Sequence, residues 1–272
     1  MIFSRRCVLS SLAILALSVQ ASLVFEEDFN SMSTGALNSQ NPFTVNSGNQ
    51  TYNVQTGGLS YSAGGVNHNG GGQHLNIVGG TNDNTAHAAF AEQTGDVYFS
   101  FLFERLSGSF LWMAVSNDTS FDGSGAIIGR DHTNGEYVRI RIRNDFDTGF
   151  AANTTSNDYG DDFPTFNESP PYLAVGKFSK SDPGGNYDTL QMVLNPASLT
   201  EPAIWDQSIS ANSGIDAVNT LLFRAGSAGA DQFNVDMIRI GTSYDSVVIP
   251  EPGTLMLMGL GVVLLIYRRL GR

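Results

Sequence analysis

Three arginines at alternate positions, Arg139, Arg141 and Arg143, form the densest chemical pattern in the sequence, within Tyr137-Val-Arg-Ile-Arg-Ile-Arg143. Side chains of an extended strand alternate between faces. Val138, Ile140 and Ile142 therefore share one face, and Tyr137 and the three arginines share the other. Guanidinium forks match planar carboxylates, so such a row could grip an acidic polysaccharide. The simpler reading is a solvated outer face paired with acids on neighbouring strands.

Acid–base chemistry finds less support. Glycoside hydrolysis needs two carboxyl groups flanking the sugar bond, and no Glu-x-Asp-x-x-Glu run places such a pair on one strand face. Glu26, Glu27 and Asp28 are consecutive, so Glu27 faces away from both neighbours. Asp145 and Asp147 have the right spacing but lie in Asn144-Asp-Phe-Asp-Thr-Gly149, which reads as a turn. Glu92, Glu104, Glu136, Glu168 and Glu201 are scattered. There is no Gly-x-Ser-x-Gly elbow. His68, His74, His87 and His132 lack zinc-type spacing. Cys7 is the sole cysteine and lies in the N-terminal segment, so the mature body is expected without disulfide, thiolate metal site or cysteine nucleophile. No catalytic residue is assigned, and the protein is expected not to be an enzyme.

Hard oxygen ligands are plentiful in the loops: Asn117-Asp118 with Asp122, Asn157-Asp158 with Asp161 and Asp162, and Asp182 with Asp188. None follows the twelve-residue calcium loop, and Asn and Asp favour turns without any metal. Calcium is the cofactor to expect if there is one. Sugar-stacking candidates are Trp112, Trp205, Tyr159, Tyr172 and Tyr187. Trp112 lies in the continuous apolar run Phe110–Val115 and reads as core. Tyr159 in an Asp-rich loop and Tyr187 in Gly-Gly-Asn-Tyr-Asp read as the exposed pair.

The elements that must position these residues are short strands. From Leu23 to Ile249 no stretch has sustained helical periodicity, whereas apolar or alternating runs are bounded by Gly, Asn, Asp, Ser or Pro. The clearest are Val97–Phe103, Phe110–Ser116, Ala126–Ile128, Tyr137–Arg143, Tyr172–Phe178, Thr189–Leu194, Leu221–Arg224 and Phe233–Ile240. Weaker ones are Leu23–Phe29, Tyr52–Val54, His74–Val78 and Ala86–Ala91. In Phe233–Ile240, Phe233, Val235 and Met237 should share a face opposite Asp236. A parallel sheet would need crossover helices, so the pattern predicts an all-β, antiparallel sandwich or barrel.

The chain has 14 Lys and Arg against 26 Asp and Glu, a formal charge of −12. With residues 1–21 and 250–272 set aside, the body keeps 9 basic and 25 acidic residues, a charge of −16. That excludes a nucleic-acid binder and an anionic membrane surface as partners. The termini look different. Arg5 and Arg6, the apolar stretch Val8–Leu17 and Val19-Gln20-Ala21 before Ser22 make a secretory signal peptide cut between Ala21 and Ser22. At the other end an apolar run, Thr254–Tyr267, is followed by Arg268, Arg269 and Arg272. As a helix its 14 residues would reach about 21 Å against a hydrocarbon core of about 30 Å, which suits a transient transmembrane anchor with its arginines on the cytoplasmic side. Pro250-Glu251-Pro252 stands just before it, extended because proline excludes helix.

The order Pro-Glu-Pro, short apolar helix, arginine cluster resembles the PEP-CTERM sorting signal of exosortase substrates. That resemblance implies secretion, a transient inner-membrane anchor and processing by a membrane-embedded transpeptidase. It further implies delivery to the surface or extracellular matrix of a Gram-negative bacterium that makes exopolysaccharide. Pro250, Glu251, Pro252, Arg268 and Arg269 would be recognition residues of a substrate. The body, residues 22–249 as one domain, resembles laminin-G-like or concanavalin A-like jelly-roll sandwiches. The resemblance lies in Phe25-Glu-Glu-Asp-Phe-Asn30, Val54–Tyr61, Val175–Phe178 with Leu194-Asn-Pro196, and Phe233–Gly241 completed by Ser243–Val247. Sandwiches of this kind often hold a structural ion between opening and closing strands, and the resemblance nominates Asp28 and Asp236 for it. A fold of this kind fixes no function. The expected role is association with extracellular polysaccharide, against a glycan hydrolase or a ligand-free coat component.

Overall fold

The computed structural model describes residues 23–249, apart from 39, 47, 81–84, 109–110, 120–123, 131–137, 145–149, 154–170 and 226–230. The cleavage pair Ala21 and Ser22, the segment Pro250–Pro252, Arg268, Arg269 and both expected terminal helices lie outside the described residues. So do Tyr159, His132, Asp122, Asp145, Asp147, Asn157, Asp158, Asp161 and Asp162.

The chain opens with β1 (Leu23–Glu27), β2 (Gly35–Ala36), β3 (Phe43–Val45), β4 (Thr51–Thr56), β5 (Ser60–Ala63) and β6 (Val66–Asn69). It continues through β7 (Gln73–Val78), β8 (Ala86–Gln93), β9 (Val97–Ser107), β10 (Leu111–Ser116), β11 (Gly125–Arg130) and β12 (Val138–Arg143). It closes with β13 (Phe150–Asn153), β14 (Tyr172–Ser179), β15 (Thr189–Leu194), β16 (Gln207–Ser210), β17 (Val218–Ala225), β18 (Gln232–Gly241) and a short helix, α1 (Tyr244–Val248). All twelve strands read from the sequence are present.

Two antiparallel sheets form a jelly-roll sandwich. One runs β16-β15-β14-β9-β18-β7-β4-β2, with β1 also on β18; the other runs β13-β12-β11-β10-β17-β8-β3. The chain passes repeatedly between the sheets, as alternating apolar strands with short turns require. Phe99, Phe101, Phe233, Val235 and Ile240 of the nine-stranded sheet pack with Met113, Val115, Ile128, Ile140 and Phe223 of the seven-stranded one in a continuous core. Gly176 sets how close the sheets come, since a Cβ there would meet Ile128 Cδ1 and Phe99 Cζ, each at 2.6 Å. Gly176→Ala is therefore expected to overpack the core by about 1–3 kcal/mol, read as a lower urea midpoint with unchanged m-value.

A second apolar layer covers part of the nine-stranded sheet's outer face. The β5–β6 hairpin and α1 bring Leu59, Val66, Tyr244, Val247 and Val248 onto Leu102, Leu173 and Val175. Ser243–Val247 was expected to complete the closing strand; instead the chain turns into α1 and packs Tyr244, Val247 and Val248 inward. The expected alternation of Phe233–Ile240 also breaks. The register slips between Asp236 and Arg239, and Met237 has φ +47°. This β-bulge puts one extra residue on β18. It sends Met237 to the outer layer beside Asp236 and restores Ile238 and Ile240 to the core.

Candidate functional site

The seven-stranded sheet collects much of the body's positive charge. Its strands carry Arg130, Arg139, Arg141, Arg143 and Arg224 against one carboxylate, Glu92 at the end of β8. Five of the body's nine basic residues thus lie on one sheet of an otherwise strongly acidic protein. Strand phase decides which way they point. Ile140 and Ile142 are in the core, as are Leu221, Phe223 and Ala225, so Arg141, Arg143 and Arg224 alternate to the opposite face.

The register aligns this face in rows. Trp112 is opposite Arg224 on one side and Gly129 on the other. Ala114 pairs with Leu222 and Ile127, which pairs with Arg141. His87 stands opposite Leu222 on the far side of β17. The floor is low because Gly125 and Gly129 admit no Cβ: one at Gly129 would lie 2.1 Å from the Leu111 carbonyl oxygen. Trp112 and the Arg141 guanidinium close over that floor, the guanidinium carbon 4.3 Å from the ring centroid. Arg141 is only 6 % exposed and Trp112 3 %, so the contact is a desolvated cation–π pair.

Two expectations are corrected here. The arginine row does lie on the outer face, but it is not simply solvated: Arg141 is buried on Trp112 and Arg143 is half-buried. Trp112 is buried as expected, yet with Ala114, Ile127 and Leu222 on the outer face and not in the inter-sheet core. A continuous apolar run does not say which of two covered faces a residue occupies. Arg224 and His87 escaped the sequence reading; Arg224 is the one charge in Val218–Ala225, and that was the available signal. Burial lowers the His87 pKa and favours its neutral form.

Tyr187 is the third correction. Expected exposed and glycan-facing, it is 0 % exposed and stacks on Phe178 at 4.5 Å with planes 18° apart. Its hydroxyl lies 2.5 Å from the Gly95 carbonyl oxygen and 3.1 Å from that of Gln93. Gly184-Gly185 does form a turn, held by Asp182, and that turn aims Tyr187 inward. Tyr172 also stacks in the core, on Phe103, and Trp205 meets Tyr244 edge-on.

The calcium candidates Asp28 and Asp236 come within electrostatic reach of each other and of Glu27. Asp236 has both oxygens engaged in hydrogen bonds, and Asp28 and Glu27 have one each. Asp236 Oδ2 accepts from Leu59 N at 2.8 Å and Oδ1 from Met237 N at 2.7 Å. Glu27 Oε1 accepts from Phe29 N at 2.6 Å, and Asp28 Oδ1 from Asn30 N at 3.0 Å. Among the described residues no three ligating side chains converge, whereas calcium takes six to eight oxygens. These side chains do not fit the ion. Burial foremost, then neighbouring carboxylates, pushes Asp236 and Glu27 up to about 7, so they hold protons where ordinary carboxylates do not.

A separate cavity of about 270 Å³ opens where β2 and β4 meet β3, lined by Asn38, Asn46, Gln50, Thr51 and Asn53 with Tyr52. Tyr52 is buried, its hydroxyl donating to Gln50 Oε1, so it offers no ring for stacking.

Residues 248–272 match the PEP-CTERM protein-sorting motif. The chain carries that sorting signal. It marks an exported, exosortase-processed protein. No curated protein matches the chain. Among solved structures, an endo-β-1,4-glucuronan lyase from the fungus Trichoderma reesei is similar over 82 % of this chain and 97 % of its own, at 12 % identity and TM-score 0.45. A mutant alginate lyase in complex with alginate tetrasaccharide is similar over 81 % and 96 %, at 13 % identity and TM-score 0.42. The CBM22-1 xylan-binding domain of Paenibacillus barcinonensis Xyn10C is similar over 81 % and 95 %, at 12 % identity and TM-score 0.37. At such identities the likeness is one of fold.

Proposed function

We propose that this PEP-CTERM protein is a non-enzymatic component of the cell surface or extracellular matrix of a Gram-negative bacterium. In this reading its sandwich binds an acidic extracellular polysaccharide through the outer face of the seven-stranded sheet. The observation that carries the reading is the charge reversal on that face, where Arg141, Arg143 and Arg224 gather on a sheet whose strands hold a single carboxylate, in a body of net charge −16. A polyanion is repelled by most of such a protein and drawn to this face. Arg143 and Arg224, both half-buried, lie three strands apart in the sheet order, about 14 Å at the usual strand spacing. A chain bearing a carboxylate on each sugar could therefore meet several guanidinium groups at once.

The signal peptide delivers the chain, and the C-terminal apolar run anchors it in the inner membrane until exosortase acts. The test is to incubate the secreted protein with a polyuronate and with a neutral glucan, scoring retained and shortened glycan together. Retention of the polyuronate, weaker at high salt and without shortening, is expected. Shortened product would sink the non-enzymatic reading; equal retention of both glycans would sink the charge-based one.

A further inference from the structure

The chain is tied to the body at three successive carbonyls, Val247 to Ile249, where the sorting motif begins. Ser100 Oγ donates to the Val247 oxygen at 2.8 Å. His68 Nε2 lies 3.2 Å from the Val248 oxygen, a contact that requires the proton on Nε2. Arg239 Nη1 donates to the Ile249 oxygen. The donors come from three strands, β9, β6 and β18, that converge beneath α1.

Each donor is buried: Ser100 and His68 are inaccessible, and Arg239 is 1 % exposed. Glu26 on β1 accepts from both Nε and Nη2 of Arg239, pairing the buried guanidinium with a carboxylate. His68 stays neutral, burial and the neighbouring Arg239 having pushed it down to about 4. The apolar side reinforces the polar one: Tyr244, Val247 and Val248 are buried in the outer layer with Ile249 packed against it. Trp205 and Tyr98 meet Tyr244 edge-on at 6.1 and 6.5 Å. A helix of five residues has little stability of its own, so this segment is held by its contacts.

We propose that these three contacts form a C-terminal clamp, which confines processing to the residues beyond Ile249 and leaves the end of the mature chain docked on the sheet. The proposal rests on the sorting reading for the identity of the processing enzyme and on geometry for the clamp. Between Ile249 and the apolar run at Thr254 stand four residues, Pro250-Glu-Pro-Gly253, which span about 13 Å when extended. The folded body therefore sits against the membrane face, and those four residues are what a membrane-embedded enzyme can reach without prying α1 away. In the cut, the peptide C–N bond breaks and the carbonyl carbon passes to water or to an acceptor amine or hydroxyl. The freed nitrogen takes up the nucleophile's proton and becomes the N-terminus of the apolar tail.

The test uses the full chain in two arms. In detergent, limited digestion with proteinase K is expected to cut the wild type beyond Ile249 and to spare the bonds from Tyr244 to Ile249. Ser100→Ala leaves the buried Val247 carbonyl without its donor and should speed cutting at those bonds about tenfold, with Arg239→Met as a second, independent loosening. In the exosortase-bearing host, the released product should have an intact mass that ends within Pro250–Gly253. Wild-type cutting inside Tyr244–Ile249 as fast as beyond it, or equal rates in both variants and wild type, would overturn the clamp. So would a released chain ending before Ile249. A host that never shortens the chain while the proteinase pattern holds would remove the sorting reading and support the clamp.

Discussion

Tyr187→Ala should destabilise the protein by about 5 kcal/mol, a large part of the total stability of an ordinary domain. Truncating a buried aromatic costs about 3–5 kcal/mol in transfer and cavity terms. Losing the hydroxyl's hydrogen bond at the Gly95 and Gln93 carbonyls adds about 0.5–1.5 kcal/mol. Those carbonyls belong to the connection between β8 and β9, where the chain crosses from the seven-stranded to the nine-stranded sheet. Tyr187 thus fastens a crossover to the Phe178 ring below it. Tyr187→Phe keeps the stack and loses the hydroxyl, so it should cost about 0.5–1.5 kcal/mol. Urea unfolding of both variants checks this, with polyuronate retention unchanged in Tyr187→Phe. A surface tyrosine serving as a sugar platform would show the reverse: stability within about 0.5 kcal/mol of wild type and retention lost.

The protein should also be more stable at pH 5 than at pH 8, contrary to the usual acid lability of globular domains. Glu27 and Asp236 are pushed up to about 7 by burial. Between their ordinary range and pH 7 the folded chain therefore binds protons that the unfolded chain has released. Stability is then lost as pH rises through that window. His68 works in the opposite sense. Its pKa is pushed down to about 4, so below its ordinary value of 6.5 the unfolded chain takes up a proton that the folded chain refuses, and stability falls as pH drops.

Between pH 5 and pH 8 each of the three groups is worth about 2–3 kcal/mol. Two carboxyls against one histidine leave a net gain of about 2–3 kcal/mol at pH 5. For a domain of this size that is a rise of about 5–10 °C in melting temperature. Asp236→Asn leaves one carboxyl against one histidine and should remove nearly all of the difference between the two pH values. Chelator and added calcium should give the same midpoints, since the described side chains do not assemble a shell for the ion. A higher midpoint at pH 8 than at pH 5, or a rise with calcium alone, would contradict this account.

The sequence showed the strands and concealed how the faces are covered. Every run with a two-residue period became a strand, because alternation is set by the local chain alone. Facing depends on what lies above a strand. Trp112 and Met237 are both buried, but the first under Arg141 and the second under α1, and neither cover is adjacent in sequence. The bulge at Met237 inverted half of β18, and a single residue in a left-handed conformation leaves no periodic trace. Ser243–Val247, short and partly apolar, was ambiguous between strand and helix; its burial on Leu102 and Val175 decided for α1. Of the candidate site, the arginines of β12 were legible by spacing. Arg224 and His87 were not, since only pairing through β10 and β17 brings them to the same face.

The central claim, that the seven-stranded sheet holds an acidic glycan by its arginines, is tested most directly by titrating a polyuronate into wild type and into an Arg143→Gln, Arg224→Gln double variant. Both side chains are half-buried and on the outer face, so the variant should fold. Each lost charge-assisted hydrogen bond is worth about 1.5–3 kcal/mol, so the account predicts at least about a hundredfold loss of affinity, with the wild-type affinity falling as salt rises. Equal affinity of the two proteins for the polyuronate would contradict it and place any glycan site elsewhere on the sandwich.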